Sequence, residues 1–75
     1  MTLIEEVRRA RHLPSPETAR LIRLSARVSQ QRMAAELGVD RVTLSRWESG
    51  ASRPRDAKRA KWADLLDALQ RELSA

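Results

Sequence analysis

The sequence predicts an all-α domain, and three observations indicate it. Apolar residues recur three and four positions apart in each long segment, which is the spacing of a helix with one buried face. The chain has only two glycines and three prolines, and these lie at the boundaries of those segments. A length of 75 residues suffices for a single domain with a modest core. We therefore expect one domain of five helices over residues 1–75.

The composition argues against an enzyme. There is no cysteine, so neither a disulfide nor a thiolate metal site is available, and the single histidine, His12, cannot build a metal site by itself. No cluster of residue types suited to acid–base or nucleophilic chemistry is present. No apolar run approaches the roughly 20 residues that span a bilayer. We expect a cytoplasmic protein with no cofactor, no metal and no membrane partner.

The first expected helix covers residues 2–12, within an N-terminal extension of residues 1–14. Thr2 is a suitable N-cap, and Glu5 completes a capping-box pattern with it. Pro14 disfavours helix at the residue before it. A second helix is predicted over 16–26, with Ser15 as N-cap and proline at its first position. Its inward face contains Ala19, Ile22 and Ala26.

Residues 30–50 predict two short helices joined by a tight turn. Ser29 can cap the first of them, and Gly38 is the residue type that best tolerates a positive φ at its end. Asp40 is a suitable N-cap for the second helix, which Gly50 ends. This pair of helices, at 30–49, is the centre of the domain.

The last helix is expected at 56–73, with Asp56 as its N-cap. The apolar pattern continues to the end of this helix, which leaves three leucines in need of cover. They are Leu65, Leu69 and Leu73. The N-terminal apolar stripe of the same chain could cover them, or a second copy could do so across a dimer.

The stretch SQQRMAAELGVDRVTLSRWESG, followed by Pro54, resembles the lambda-repressor-like (Xre) helix-turn-helix family. A small residue precedes the first glycine by four positions, and two apolar residues, Leu44 and Trp47, follow it by six and nine. The acid at Glu48 and the Gly–x₃–Pro ending also agree. The resemblance covers about residues 17–66. It implies a DNA-binding domain, here with an added N-terminal helix and a last helix that lacks the family's usual break.

A DNA partner agrees with the charge. The chain has fifteen basic and ten acidic residues, which gives a net charge of +5, and thirteen of the fifteen basic residues are arginine. In this motif the second helix enters the major groove and its N-terminal residues meet base edges. We therefore expect base contacts from Arg41, Val42, Ser45 and Arg46. The two arginines can bind guanine, although either could contact phosphate instead, and Val42 can pack on a thymine methyl.

Contacts with the DNA phosphates are expected from both sides of that helix. Gln30 and Gln31 open the preceding helix, whose free N–H groups favour an anion. The resemblance further implies that Gln30 contacts the DNA backbone and supports the first residue of the recognition helix. The complete expected set is Gln30, Gln31, Thr43, Arg53, Arg55, Lys58 and Arg59.

Glu48 is an acid within a motif that should be positive. The resemblance implies that it pairs with Arg23, and we predict a partly buried ion pair between them. Breaking such a pair costs roughly 3–5 kcal/mol when it is well buried.

The expected function is sequence-specific binding of double-stranded DNA by a small transcriptional regulator, such as a phage or plasmid repressor or an antitoxin-like protein. It would act as a homodimer on the bacterial nucleoid, or in the host cytoplasm if phage-encoded. One alternative is a recombination-directing or architectural DNA-binding protein. Another is a protein-interaction module whose leucine face binds a toxin, a polymerase subunit or a recombinase.

Overall fold

The computed structural model describes residues 2–4 and 13–75, and within them the fold is all-α with four helices. These are α1 (Pro16–Ser25), α2 (Gln30–Leu37), α3 (Arg41–Ser49) and α4 (Asp56–Ser74). The additional N-terminal helix that was expected at 2–12 lies mostly outside the described residues. Of that segment, Leu3 and Ile4 are described; they are helical and exposed. The four-helix order agrees with the predicted helix-turn-helix domain.

Three helices begin at side-chain caps, as predicted. The hydroxyl of Ser15 accepts a hydrogen bond from the N–H of Thr18 at 3.2 Å. Ser29 accepts one from the N–H of Arg32 at 3.0 Å, and Asp40 accepts one from the N–H of Thr43 at 2.7 Å. Each cap satisfies an N–H group that has no partner within its own helix. The starts of α1, α2 and α3 are therefore fixed by residues next to them in sequence.

The same three helices end in left-handed residues. Gly38 and Gly50, with φ of 74° and 80°, end α2 and α3 as predicted. Arg27, with φ of 58°, follows α1 in the same way. There the N–H of Val28 donates to the carbonyl of Arg23, and the N–H of Arg27 to that of Leu24. This is the Schellman pattern, with arginine at the position that usually holds glycine.

The start of α4 differs from the prediction that Asp56 is its N-cap. Arg55 holds that position, because its carbonyl accepts from the N–H groups of Lys58 and Arg59 at 3.0 and 3.3 Å. Asp56 is the first helical residue, at a φ of 39°, and no side chain caps the helix. Its carboxylate nevertheless stands in the first turn, where the helix dipole favours a negative charge.

The core lies where the four helices meet. Its largest fully buried side chains are Trp62, Met33, Leu37, Leu44 and Leu66. Small residues, Ala19 in α1 and Ala34 in α2, are also fully covered and permit close approach of the helices. The ring centroids of Trp47 and Trp62 are 5.4 Å apart and tilted by 38°. This packing holds α3 against α1, α2 and α4.

The last turns of α4 are covered less than its middle. Leu65 and Leu69 are half-buried against the core, whereas Leu73 is 48% exposed. The helix continues without a break through Ser74, as the apolar pattern predicts. In the part of the chain that the structure describes, no helix is both long and apolar enough to cross a membrane.

Candidate nucleic-acid interface

The outer face of α3 carries the residues expected to meet base edges. Arg41, Val42 and Arg46 are exposed, and Ser45 is half-buried beside them. Val42 is 56% exposed although it is apolar. Among the described residues, neither Arg41 nor Arg46 has an ion-pair partner. The face thus offers two uncommitted guanidinium groups and one apolar side chain on a single short helix.

The start of α3 is held by the Asp40 cap. Hydrogen bonds from the side chain and then the backbone N–H of Thr43 hold the pKa of Asp40 below its ordinary value of 3.8. The ionised carboxylate therefore caps the helix at neutral pH, at the end that carries Arg41 and Val42. Thr43 is half-buried, and its hydroxyl serves this cap. Its contact with a phosphate stays a prediction.

A buried ion pair locks α3 to α1. Arg23 and Glu48 pair through two hydrogen bonds, from Nε to Oε2 at 2.7 Å and from Nη2 to Oε1 at 3.0 Å. Both side chains are more than nine-tenths buried. The remaining Nη1 of Arg23 donates to the carbonyl of Val28 at 2.9 Å. The paired geometry satisfies both charges, which is the condition under which burying them can be tolerated.

Gln30 joins this network. Its Nε2 donates to Oε1 of Glu48 at 3.0 Å, so the acid accepts three hydrogen bonds. The first residue of α2 is thereby tied to the recognition helix through Glu48. Gln31, next to it, is exposed. The contact of Gln30 with the DNA backbone and its support of the first residue of α3 stay predictions.

Lys58 has a role that the sequence prediction missed. Its Nζ donates to the carbonyl of Leu37 at 2.9 Å and reaches that of Gly38 at 3.5 Å. It therefore caps the C-terminus of α2 from α4, where a cation also complements the helix dipole. The ammonium group has a third N–H and the side chain is exposed, so its contact with a phosphate stays a prediction.

The other basic residues of the segment after α3 are free to face a partner. Arg53, Arg55 and Arg59 are exposed, and Pro54 between the first two is buried. Burial of the proline fixes the loop on the body of the domain, so that the flanking arginines project from it. Within the described ranges 2–4 and 13–75, no group of His, Cys, Asp or Glu side chains could hold a metal ion.

A groove lies between α1 and α3, beside the residues that are predicted to contact DNA. Its volume is about 460 Å³, and it is lined by Glu17, Arg20, Gln30, Ser45, Glu48 and Ser49. Two of these, Gln30 and Ser45, belong to the predicted interface. Arg20 was not predicted to belong to the interface. It lies three residues before Arg23 on α1, and residues at this spacing are neighbours on a helix surface, so the spacing could have indicated that Arg20 lies near the interface.

A family model described as helix-turn-helix, of the Xre or lambda-repressor-like type, matches residues 20–73. The chain belongs to the Xre-type helix-turn-helix family. The match takes in α2 and α3 and nearly all of α4, including the turns past the point where the resemblance seen in the sequence ended. No curated protein and no solved structure is significantly similar to the chain.

Membership makes this a helix-turn-helix domain of a DNA-binding type. DNA binding is the role of the family, and it agrees with the exposed basic face of α3. The match does not choose the contact residues, so those expected above remain predictions.

Proposed function

We propose that this Xre-type domain binds double-stranded DNA sequence-specifically, by placing α3 in the major groove, and acts as a small transcriptional regulator. The observation that carries the proposal is the outer face of α3. Arg41 and Val42 are exposed at the beginning of this helix and Arg46 further along it, while its inner face is buried and its start is capped. A helix presented in this way fits the width of the major groove.

The chemistry of that face favours particular bases. A guanidinium can donate two parallel hydrogen bonds to O6 and N7 of guanine, and an apolar side chain can contact the methyl group of thymine. We therefore propose that Arg41 and Arg46 bind guanines and that Val42 packs on a thymine. Ser45, half-buried between them, is small enough to allow close approach and can donate to either type of base.

Phosphate contacts on both sides would set the register of α3. On one side, the proposed contacts come from the N-terminus of α2, at Gln30 and Gln31, and from Thr43. On the other side, they come from exposed arginines after α3. These are Arg53, Arg55 and Arg59. Such contacts position a protein without reading sequence. Lys58 contributes to this surface indirectly, by holding the turn between α2 and α3.

We further propose that two copies bind together, on half-sites about one helical turn apart. A single α3 offers few base contacts, and a dimer doubles them. The incompletely covered end of α4, with Leu65, Leu69 and Leu73, supports this arrangement. Sedimentation of the free protein and of the DNA complex measures the number of copies in each.

The same leucines favour one second candidate, a module that binds a protein partner such as a toxin, a polymerase subunit or a recombinase. The two functions differ in their response to salt. Several phosphate contacts make DNA affinity fall steeply as salt increases, whereas a protein-binding module would show little DNA binding at physiological salt. A factor that directs recombination would bind DNA in the same way as a regulator and differs in where its sites lie.

The experiment that tests the proposal is selection of random duplex DNA by the purified full chain. We expect enrichment of a two-fold symmetric motif with G·C pairs in each half-site. Enrichment of a single half-site would retain DNA binding but contradict the dimer. Failure to enrich any motif, from protein shown to be folded by circular dichroism, would contradict direct reading of bases by α3.

A further inference from the structure

The groove between α1 and α3 offers a cation that the predicted DNA contacts leave unused. Of the two arginines in that region, Arg23 is buried and donates hydrogen bonds to Glu48 and to the carbonyl of Val28. Arg20, one turn earlier on α1, is exposed and lines the groove. It forms no ion pair with any residue that the structure describes.

Three other polar side chains of the groove have hydrogen-bond partners within the chain. The negative charge of Glu48 is compensated by Arg23, and the amide N–H of Gln30 is donated to Glu48. The hydroxyl of Ser49 donates to the carbonyl of Arg46 at 3.1 Å. The uncompensated charges at the groove are therefore the guanidinium of Arg20 and the carboxylate of Glu17, which is exposed on the same helix.

We propose that this groove receives a phosphate of the DNA backbone and that Arg20 binds it, so that the interface extends from α3 onto α1. The inference rests on the proposed function. Gln30 and Ser45 line both the groove and the DNA-facing side, so a strand that passes the N-terminus of α2 reaches the groove next. A guanidinium binds phosphate oxygens in a bidentate manner. Glu17 repels the same phosphate and lowers the affinity.

The test is the salt dependence of DNA binding by the full chain, measured by fluorescence anisotropy with a random-sequence duplex. Each phosphate contact contributes about 0.9 to the slope of log affinity against log salt concentration. Arg20→Gln should reduce that slope by about 0.9. The matched control is Arg71→Gln, which removes the same charge from an exposed arginine that pairs with Asp67 near the end of α4. It should leave the slope unchanged.

A second pair of variants tests whether removal of a negative charge at the groove increases the affinity for DNA. Glu17→Gln should strengthen binding, whereas Glu72→Gln, the same charge change at the far end of α4, should leave it unaltered. Thermal unfolding should show that all four variants are as stable as the parent. Equal slopes for Arg20→Gln and Arg71→Gln, with a parent chain that binds DNA, would overturn this inference alone. A folded parent chain that binds no DNA would overturn the proposed function as well.

Discussion

The two ends of α4 differ in what covers them. Up to its middle, Trp62 and Leu66 are fully buried against the preceding helices, and Lys58 caps the turn between α2 and α3. Toward the other end, Leu69 is half-buried and Leu73 is 48% exposed. The inward-facing side chains of the first part of α4 are therefore enclosed by the other helices, whereas those of its distal end are only partly covered.

The ion pairs show the same contrast. Arg23–Glu48, on the helix-turn-helix side, is buried, bidentate and shared with Gln30. Arg71–Asp67, on the distal end, has side chains 72% and 42% exposed. Solvent screens an exposed pair, so its contribution is close to zero, whereas a buried pair that loses one member leaves a charge without a partner. Loss of one member of the buried pair should therefore lower the stability of the fold much more than loss of one member of the exposed pair.

The largest expected effect comes from breaking the buried pair. Glu48→Ala leaves the buried Arg23 guanidinium and the half-buried Gln30 amide without their carboxylate acceptor. We expect a loss of about 3–5 kcal/mol in the free energy of unfolding, measured by urea denaturation. This is a large part of the total stability that a chain of this size has.

The control is Glu36→Ala, which removes one member of the exposed pair Arg32–Glu36 on α2 and should cost less than about 1 kcal/mol. If Glu48→Ala is too unstable to measure, Glu48→Gln removes the charge while keeping the shape of the side chain and should give a smaller loss. Equal losses for Glu48→Ala and Glu36→Ala would show that burial gives the Arg23–Glu48 pair no special weight.

Two leucines on the same helix compare the two ends directly. Leu66→Ala empties a fully buried site and should cost about 2–5 kcal/mol. Leu73→Ala should cost much less in a monomer, less than about 1 kcal/mol, because about half of this residue is exposed there. Both losses are measured by urea denaturation at several protein concentrations. A cost for Leu73→Ala that grows with protein concentration would place this leucine in a dimer contact.

A smaller effect, of opposite sign, is expected at the end of α1. Arg27 holds a positive φ that Gly38 and Gly50 adopt without strain in the equivalent positions. Arg27→Gly should therefore stabilise the chain by about 0.5–1 kcal/mol, as measured by thermal unfolding. Arg27→Ala, which keeps a Cβ atom, is the control and should give no gain. Destabilisation by the glycine would mean that the arginine side chain makes a contact worth more than the backbone strain.

The smallest expected effect is the pH dependence of the Asp40 cap. The folded state holds the pKa of Asp40 below 3.8, so its contribution to stability is present above that pH and is lost as the pH falls through the lower folded-state value. Asp40→Asn caps a helix about as well but does not titrate. The midpoint of thermal unfolding should fall further with acid for the parent than for this variant. Parallel curves would contradict the assignment of Asp40 as an ionised cap.

Much of the fold followed from the sequence because its signals are local. Ser15, Ser29 and Asp40 cap helices that start one residue later, and Gly38 and Gly50 end helices beside them. A cap and its partner lie within four residues, so spacing alone predicts them. The pairing of Arg23 with Glu48, which are 25 residues apart, was reached through the resemblance to the family and not through spacing.

The missed features depend on contacts that spacing does not encode. Lys58 reaches the carbonyl of Leu37 across 21 residues, and Gln30 reaches Glu48 across 18. Arg27 occupies a position that usually holds glycine, so the sequence did not indicate that the residue after α1 has a left-handed backbone conformation. Asp56 resembles an N-cap by residue type, but the carbonyl of Arg55 starts the hydrogen-bond ladder of α4. The contacts of Lys58 and Gln30 require the packed helices to be known first, whereas the features at Arg27 and Asp56 are local but are not shown by residue type.

The central claim is that α3 reads bases while the residues beside it hold phosphates. The most direct measurement compares the affinity for the selected duplex with that for a scrambled duplex of equal length, at fixed salt. Arg41→Ala should lower the specific affinity about 5- to 150-fold, equivalent to about 1–3 kcal/mol, and leave scrambled binding nearly unchanged. Arg53→Ala should weaken both to the same degree. If Arg41→Ala weakened both duplexes equally, Arg41 would be a phosphate contact and the account of α3 as the reading helix would be contradicted.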